Sequence, residues 1–325
     1  MELYLPRRKK ELIDCLETFK YARLTARRTG KFVLYHWIDS IFCYLRYGCS
    51  PLQYFEGGFY KLRSFDREEA YTKRRIGRVR AKFNDRKYEY LLGCKTEFNK
   101  HFAVFVKRDW IDCKTASATD IEDFVRRKGH CIIKPICSSK GKGIKVINKE
   151  DAKALSLSYA GKDCILEEII KQHPMLCFGN KSVNTLRMMT IMDASGEVHL
   201  LKVGLRCGTG DSVIDNFCAG GVIYPIDFQY GRISGPGLTN FLGEYVYVHP
   251  GTDIYMLGRE VPFWQQAIEF VERAAKRIPQ VRFVGWDVAI TSEGPVLIEG
   301  NQHPGVIFDP QNIGHGLYRE MMSYK

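Results

Sequence analysis

The chain has 325 residues, 45% of them hydrophobic and 13% aromatic, enough to bury a large core in two or three structural units and too apolar for a disordered protein. Its net charge of +12 is wholly N-terminal: residues 1–110 hold 25 Lys and Arg against 13 Asp and Glu, and the rest balances at 24 against 24. That excess suits nucleic acid, an anionic membrane or a polyanionic substrate, with a solvated basic helical face as the plain alternative. The 11 cysteines lack CxxC spacing, and Cys131, Cys164 and Cys207 sit in apolar strand-like runs as small hydrophobes, so a reducing cytoplasm is expected. The opening MELYLPRRKKELIDCLETF has no apolar core or small-residue cleavage site, which argues against a signal peptide. The most apolar early window, residues 32–45, is too short for a membrane span and holds His36 and Asp39.

From residue 6 to about residue 90 the pattern is helical, with Leu12, Cys15, Leu16 and Phe19 at helical spacing. Residues 72–87, TKRRIGRVRAKFNDRK, predict a solvated helix or a docking surface. No helix-turn-helix, zinc-finger or aromatic RNA-binding signature accompanies them, which disfavours nucleic acid. A peripheral membrane or protein partner fits the Phe, Tyr and Trp interleaved with Lys and Arg, but no clean amphipathic stripe is visible.

Residues 91–110 predict a helix running into a strand, with Lys95 near the helix start. Thr119-Asp120-Ile121-Glu122 reads as a capping box opening a helix that Gly129 closes. In CIIKPICSSKGKGIKVI, residues 131–147, two apolar runs flank Ser138-Ser139-Lys140-Gly141-Lys142-Gly143. Strand, glycine loop and strand exclude a Walker loop or a dinucleotide fingerprint, both of which must lead into a helix. Such a hairpin can fold over phosphates while Lys134 aims its ammonium at them from the preceding strand; an ordinary turn with surface lysines is the alternative. Asn148 is expected to cap a helix to about Tyr159, and residues 163–170, DCILEEII, to form a strand ending in paired carboxylates. Strands are expected over 182–192, 196–206 and 220–226, and an irregular Gly- and Pro-rich stretch over 227–258. A core helix follows between Pro262 and Pro279, and a last helix over 316–323.

Residues 283–305, FVGWDVAITSEGPVLIEGNQHPG, predict a β-hairpin with its turn at 291–295. If Ile290 pairs with Val296, Asp287 lies opposite Glu299, and Asn301 shares their face. Like charges opposite each other repel, by roughly 4 kcal/mol at about 4 Å and an effective dielectric near 20, so a cation belongs there. Two carboxylates and an amide oxygen, without Cys or His at ligand spacing, suit Mg²⁺ better than zinc. A hairpin whose carboxylates pair with nearby Lys or Arg is the alternative.

Taken in order, Lys95, Lys134 before a glycine hairpin, Leu166-Glu167-Glu168-Ile169-Ile170, Asp287 and Glu299-x-Asn301 resemble the ATP-grasp superfamily over residues 90–325. Asn184-Thr185-Leu186-Arg187, Asp215-Asn216-Phe217, Ala219-Gly220-Gly221 and the run from Gly300-Asn301 to Pro304-Gly305 look most like its sugar-transfer-associated branch. The resemblance implies an α+β fold in which two lobes clasp ATP, preceded here by a basic, mainly helical region. The corresponding units are 1–90, then 91–170 as the small lobe with a glycine-rich lid, then 171–325 as the large lobe with the Mg²⁺ site.

By the same resemblance, Lys95 and Lys134 hold the α- and β-phosphates, and Ser138, Ser139, Gly141 and Gly143 cover them. Glu167 accepts from the adenine amino group, and the backbone of Glu168 and Ile170 reads the adenine edge. Asp287, Glu299 and Asn301 hold one or two Mg²⁺ ions. The implied chemistry is ATP-dependent ligation of a small-molecule carboxylate to an amine or thiol acceptor through an acyl phosphate, in polysaccharide or cell-surface glycan synthesis. A kinase, or a nucleotide-regulated binding module, is the alternative on the same scaffold. Some family ligases carry Arg where this chain has Gly285; Arg187 or Arg206 is the candidate replacement, unless each forms a structural salt bridge. His303 is a candidate proton acceptor or a structural turn residue, and Asp215 and Asn216 are candidate acceptor contacts.

Overall fold

The computed structural model describes residues 7–55, 57–137, 143–210, 220–239, 244–304 and 317–324, the side chains of residues 7–17 and Leu52 excepted. Helices α1 (Arg7–Thr29), α2 (Val33–Tyr47), α3 (Pro51–Phe55), α4 (Ser64–Glu69) and α5 (Lys73–Phe83) come first, followed by the short helices α6 (Tyr90–Gly93), α7 (Lys95–His101) and α8 (Ala103–Val106). A small core of Ala22, Cys43, Tyr47, Tyr54, Phe55 and Phe59 holds the first three together, and Ala70, just past α4, joins it. Helix α5 belongs elsewhere. The basic run predicted a solvated helix, yet Arg75, Ile76, Val79 and Phe83 are buried, because the apolar residues recur at three- and four-residue spacing and fall on one face.

The next unit is a four-stranded antiparallel sheet in the order β1 (Trp110–Asp112), β4 (Cys164–Glu168), β2 (His130–Pro135), β3 (Lys145–Asn148). Helices α9 (Ala118–Lys128) and α10 (Ala152–Tyr159) cover one face, burying Ile121, Phe124, Val125 and Ala152 on Cys131, Ile133, Cys164 and Leu166. Alternation along the strands sends Ile132, Lys134 and Glu167 to the other face. The capping box of α9 sits two residues earlier than predicted: Ser117 Oγ accepts from Asp120 N at 3.1 Å, and Asp120 Oδ2 accepts from Ser117 N at 3.0 Å. Asn148 does not cap with its side chain, which meets His130 Nδ1 at 3.1 Å instead, and a single 3-10 turn precedes α10.

The larger sheet is also antiparallel. Its order is β10 (Tyr245–Val246), β9 (Gly237–Thr239), β7 (Val222–Asp227), β6 (Val198–Cys207), β5 (Thr185–Met192), β11 (Phe283–Thr291), β12 (Gly294–Asn301), with β8 (Arg232–Ile233) beside β7. The stretch expected to be irregular thus contributes three short strands. Helix α11 (Trp264–Lys276) buries Ala267, Phe270, Val271, Ala274 and Ala275 against Val284, Trp286, Val288 and Ile290 of β11. On the opposite face, Ile76, Val79 and Phe83 of α5, with Leu317 and Met321 of α12 (Leu317–Ser323), pack on Met189, Ile191, Leu201 and Phe283. Asn84, just past α5, exchanges two hydrogen bonds with the Phe283 backbone, at 2.9 and 2.8 Å.

Trp286 is fully buried, and its indole N–H donates to Thr190 Oγ1 at 2.9 Å. Thr190→Val keeps the shape and removes that acceptor. Leaving a buried donor unpaired costs about 1–3 kcal/mol, so the urea midpoint should fall while the slope of the transition stays unchanged.

Candidate active site

The β11–β12 hairpin turns through two residues, Ser292 and Glu293, tighter than the five-residue turn predicted. Ile290 pairs with Pro295 rather than Val296, and a bulge that takes up Ile298 between Val288↔Leu297 and Asp287↔Glu299 restores the expected opposition of the two carboxylates. Gly300, between Glu299 and Asn301, has to be bare, because a Cβ there would lie 2.8 Å from Leu92 and 3.2 Å from Trp286.

Asp287 is only 3% exposed. Its cross-strand neighbour Arg187 grips it twice, Nε to Oδ1 at 2.8 Å and Nη2 to Oδ2 at 3.1 Å. Arg206, one strand further, reaches both oxygens at 3.1 and 3.2 Å. Asn301 Nδ2 lies 3.2 Å from Glu299 Oε1 and 3.4 Å from Asp287 Oδ2. Burial raises the Asp287 pKa, with Arg187 and Arg206 pulling against it and Glu299 adding to it. Burial also opposes ionisation of Glu299, but its hydrogen bond with Asp287, the Arg187 guanidinium and Asn301 outweigh that and lower its pKa. The facing carboxylates therefore titrate as one coupled unit.

Both arginines line the cleft, and both form buried ion pairs with Asp287. A Cβ at Gly285 would sit 2.5 Å from Pro304 and 3.3 Å from Arg187 Nη1, so the Arg187 guanidinium stands beside the position where some family ligases carry Arg.

Across the cleft, Glu167 is 2% exposed and has both oxygens engaged. Asn99 Nδ2 and Arg108 Nη2 each donate to Oε1 at 2.8 Å, and Lys134 Nζ meets Oε2 at 2.7 Å. Burial alone would raise its pKa; Arg108 and Lys134 reverse this and hold it well below the usual carboxylate range. Arg108 also donates to the carbonyls of Leu297 and Ile298 at 2.6 and 3.3 Å, at the bulge of β12, and so ties the two sheets together. Lys107, left-handed at φ 52°, makes the turn that delivers it. Nothing in the periodicity pointed to Arg108 or Asn99: the first lies in a connection and the second on a seven-residue helix, and both act only through tertiary contact.

Lys95 opens α7 and donates from Nζ to Pro135 O at 2.9 Å; burial chiefly lowers its pKa. Glu168 Oε2 meets Lys128 Nζ at 2.9 Å, and the Glu168 N–H donates to Asp109 O at 2.9 Å. Lys95, Lys134, Glu167, Glu168, Ile170, Arg187, Arg206, Asp287, Glu299 and Asn301 all line one cavity of about 740 Å³. That volume lies within the roughly 300–1,000 Å³ span of small-molecule sites. Among its described lining residues are six Lys or Arg against four Asp or Glu, a balance suited to a ligand with several negative charges. Gly143 is not part of the lining; at φ +78° it packs on Pro135 at the base of the hairpin. Ser138, Ser139, Gly141, Asp215 and Asn216 lie outside the described residues. His303 lines the cavity and is held by Arg80; burial first, and then Arg80, lower its pKa.

Asp287, Glu299 and Asn301 stand on one sheet face, two carboxylates and an amide whose half-turn would present Oδ1 in place of Nδ2, and such a set of hard oxygen donors fits Mg²⁺.

Two antiparallel sheets, one bearing Lys134 and Glu167 and the other the Asp287–Glu299 pair, closing on a single cavity, define the ATP-grasp class of α+β fold. The chain belongs to the sugar-transfer associated ATP-grasp family, whose model matches residues 154–323, just over half of the sequence. Among solved structures it is similar to the ADP complex of purK, an N5-carboxyaminoimidazole ribonucleotide synthetase, at 13% identity and a TM-score of 0.43, covering 66% of this chain and 45% of that one. The ATP-grasp ligase PsnB, complexed with precursor peptide PsnA2 and AMPPNP, is 12% identical at a TM-score of 0.45, covering 74% and 61%. D-alanyl-alanine synthetase A from Vibrio cholerae is 14% identical at a TM-score of 0.39, covering 71% and 63%. The match thus spans less than two thirds of each of these chains. Among the curated proteins, none matches.

Glu167→Gln leaves Arg108 and Lys134 buried beside a neutral amide and should cost about 3–5 kcal/mol at pH 7. Because the folded state lowers the Glu167 pKa, its contribution is present above the unfolded value near 4.5 and is lost as pH falls. Denaturant titrations across pH should therefore show the wild-type advantage over Glu167→Gln narrowing below about pH 4.5.

Proposed function

We propose that the protein is an ATP-dependent ligase that activates a small-molecule carboxylate as its acyl phosphate and passes the acyl group to an amine or, less readily, a thiol. One observation carries this reading: the oxygen set of buried Asp287 with half-buried Glu299 and Asn301, and the cations Lys95, Lys134, Arg187 and Arg206, face one cavity. Phosphoryl transfer needs positioning and neutralisation of spread negative charge, and these residues supply both.

Lys95 and Lys134, from α7 and β2, approach the cavity from the small-sheet side, where they can neutralise α- and β-phosphate oxygens. The backbone just past the end of β4, residues 169–170, can pair with an adenine edge; the Glu168 N–H is already bonded to Asp109 O. Glu167 holds Lys134 in place through a buried ion pair, which makes it a positioning residue at least as much as an adenine acceptor. Mg²⁺ held by Asp287, Glu299 and Asn301 would supply charge neutralisation to a bound nucleotide. Arg187 and Arg206 already neutralise Asp287, and the arrival of phosphate and a substrate carboxylate gives their guanidiniums a competing anion at the same face. The substrate carboxylate oxygen takes the γ-phosphoryl group and ADP leaves; the amine then attacks the acyl carbon, phosphate leaves, and the amine nitrogen gives up one proton to water. The family description points to sugar transfer, so a glycan-linked acceptor is part of the proposal.

Incubation with ATP, Mg²⁺, pooled carboxylic acids and hydroxylamine should yield ADP and a carboxylate-dependent hydroxamate. A phosphorylated product without hydroxamate would make the protein a kinase, and nucleotide binding without turnover would make it a regulatory module. Glu299→Ala should lower turnover by roughly a hundredfold or more while nucleotide affinity, measured calorimetrically without metal, stays within a few-fold. Unchanged turnover in that variant would remove the metal assignment.

A further inference from the structure

Helix α2 is apolar on both sides. Its inward face buries His36, Ser40, Cys43 and Tyr47, with Val33 and Trp37 packed on the N-terminal core and Asp39 half-buried. His36 and Asp39 are satisfied internally. Asp39 takes Arg67 Nη1 and Nη2 at 2.8 and 2.9 Å and the Tyr54 hydroxyl at 2.6 Å, and His36 Nε2 meets Thr29 Oγ1 at 2.7 Å. The outward face is apolar as well. Leu34, Ile38 and Leu45 are 60%, 60% and 66% exposed, Ile41 and Phe42 lie between them, and Phe32 at the helix start is 86% exposed. Residues 34, 38, 41, 42 and 45 recur at three- and four-residue spacing and form one stripe. An apolar stripe of this kind normally faces a core, and here the helix already has its core on the other side, around Cys43 and Tyr47, so the stripe is left for an apolar medium outside the protein.

The rim of the stripe carries positive charge. At its N-terminal end exposed Lys31 stands over the Tyr35 ring, Nζ 4.5 Å from the centroid. At its C-terminal end exposed Arg74 stands over the Tyr44 ring at 5.6 Å and donates to the carbonyls of Tyr44 and Leu45 at 3.0 Å each. Asp39 is the single carboxylate of the helix and is turned inward. Two exposed tyrosines with adjoining cations suit a headgroup layer, where an aromatic ring is wet at one end and dry at the other. At 15 residues and 1.5 Å per residue, α2 is about 22 Å long, short of the roughly 30 Å hydrocarbon core, and no described helix is long and apolar enough to cross a membrane.

We propose that the outer face of α2 seats the protein on an anionic lipid bilayer, lying along the surface with Phe32, Leu34, Ile38, Ile41, Phe42 and Leu45 in the acyl boundary and Lys31 and Arg74 at the headgroups. Charge complementarity selects this occupant over a second copy of the chain, whose own α2 face is equally cationic and carries no acid.

The test is co-sedimentation of the full chain with unilamellar vesicles of phosphatidylcholine alone, or of phosphatidylcholine containing about one third phosphatidylglycerol, a composition that supplies the anionic surface potential. The wild type should sediment with the anionic vesicles and be released by salt. Ile38→Asn/Leu45→Asn should lower partitioning by about tenfold or more, with an unchanged circular dichroism melt because both side chains are exposed. Lys31→Glu should weaken binding by about fivefold or more on anionic vesicles and little on neutral ones. Failure of the wild type to bind either vesicle, or equal binding by the double variant, overturns the proposal. So does a dimer, seen by light scattering, that Ile38→Asn/Leu45→Asn dissolves, since the face would then be an interface between copies.

Discussion

An ionised carboxylate taken into a protein interior costs several kcal/mol unless cations and hydrogen bonds surround it, and this fold puts two buried acids, Asp287 and Glu167, with half-buried Glu299, on the walls of one cleft. Asp287 and Glu299 face each other across adjacent strands, and Glu167 stands on the other sheet. Much of the local structure answers that constraint. Arg187 and Arg206 converge on Asp287 from the two strands next in the sheet, and Arg108, Lys134 and Asn99 converge on Glu167. Each carboxylate is therefore stable where a nucleotide and metal would be wanted, and each cation is held ready by an anion that a phosphate can rival.

The two sheets do not merely lie side by side. Arg108 occupies the carbonyls that the bulge of β12 turns outward and at the same time grips Glu167 of β4. One guanidinium thereby satisfies a strand edge, neutralises a buried acid and fixes the separation of the cavity walls. Removing such a group leaves several partners unpaired at once, which is why buried networks of this kind behave as units. Lys95 has a lesser version of this role, its ammonium bonded to the Pro135 carbonyl at the root of the glycine hairpin.

What could be read from the residue order follows from which contacts are local. Alternation on a hairpin is local, so the opposition of Asp287 and Glu299 was legible, although it arises from a tighter turn and a compensating bulge rather than from an unbroken ladder. The order Lys95, Lys134, Glu167, Asp287, Glu299, Asn301 was legible as a family pattern, and all six line the cavity. Arg108 and Asn99 were not, because nothing near them in sequence reveals that they meet Glu167. The cap of α9 was misplaced because Ser117 and Thr119 are both plausible cap residues, and only the hydrogen bonds distinguish them. The stripe on helix α2 went unread: aromatic and basic residues interleave along it, and only the burial of His36, Ser40, Cys43 and Tyr47 shows that Leu34, Ile38, Ile41, Phe42 and Leu45 share the outward face.

The N-terminal region is coupled to the site through α5. At one end, Gly48 closes α2 in a left-handed conformation at φ +70° and leaves room for Arg74, since a Cβ there would lie 2.2 Å from the Arg74 Cβ. Arg74 then takes the last carbonyls of α2. At the other end, Asn84 is bonded to the backbone of Phe283, four residues before Asp287 on the same strand. Between them Arg80 holds Glu89 and His303, the latter on the cavity wall. The basic run is therefore a strut whose buried side rests on the sheet and whose ends touch α2 and β11. Its charge alone suggested a docking surface, whereas its packing makes it the part that sets the position of α2 relative to the cavity.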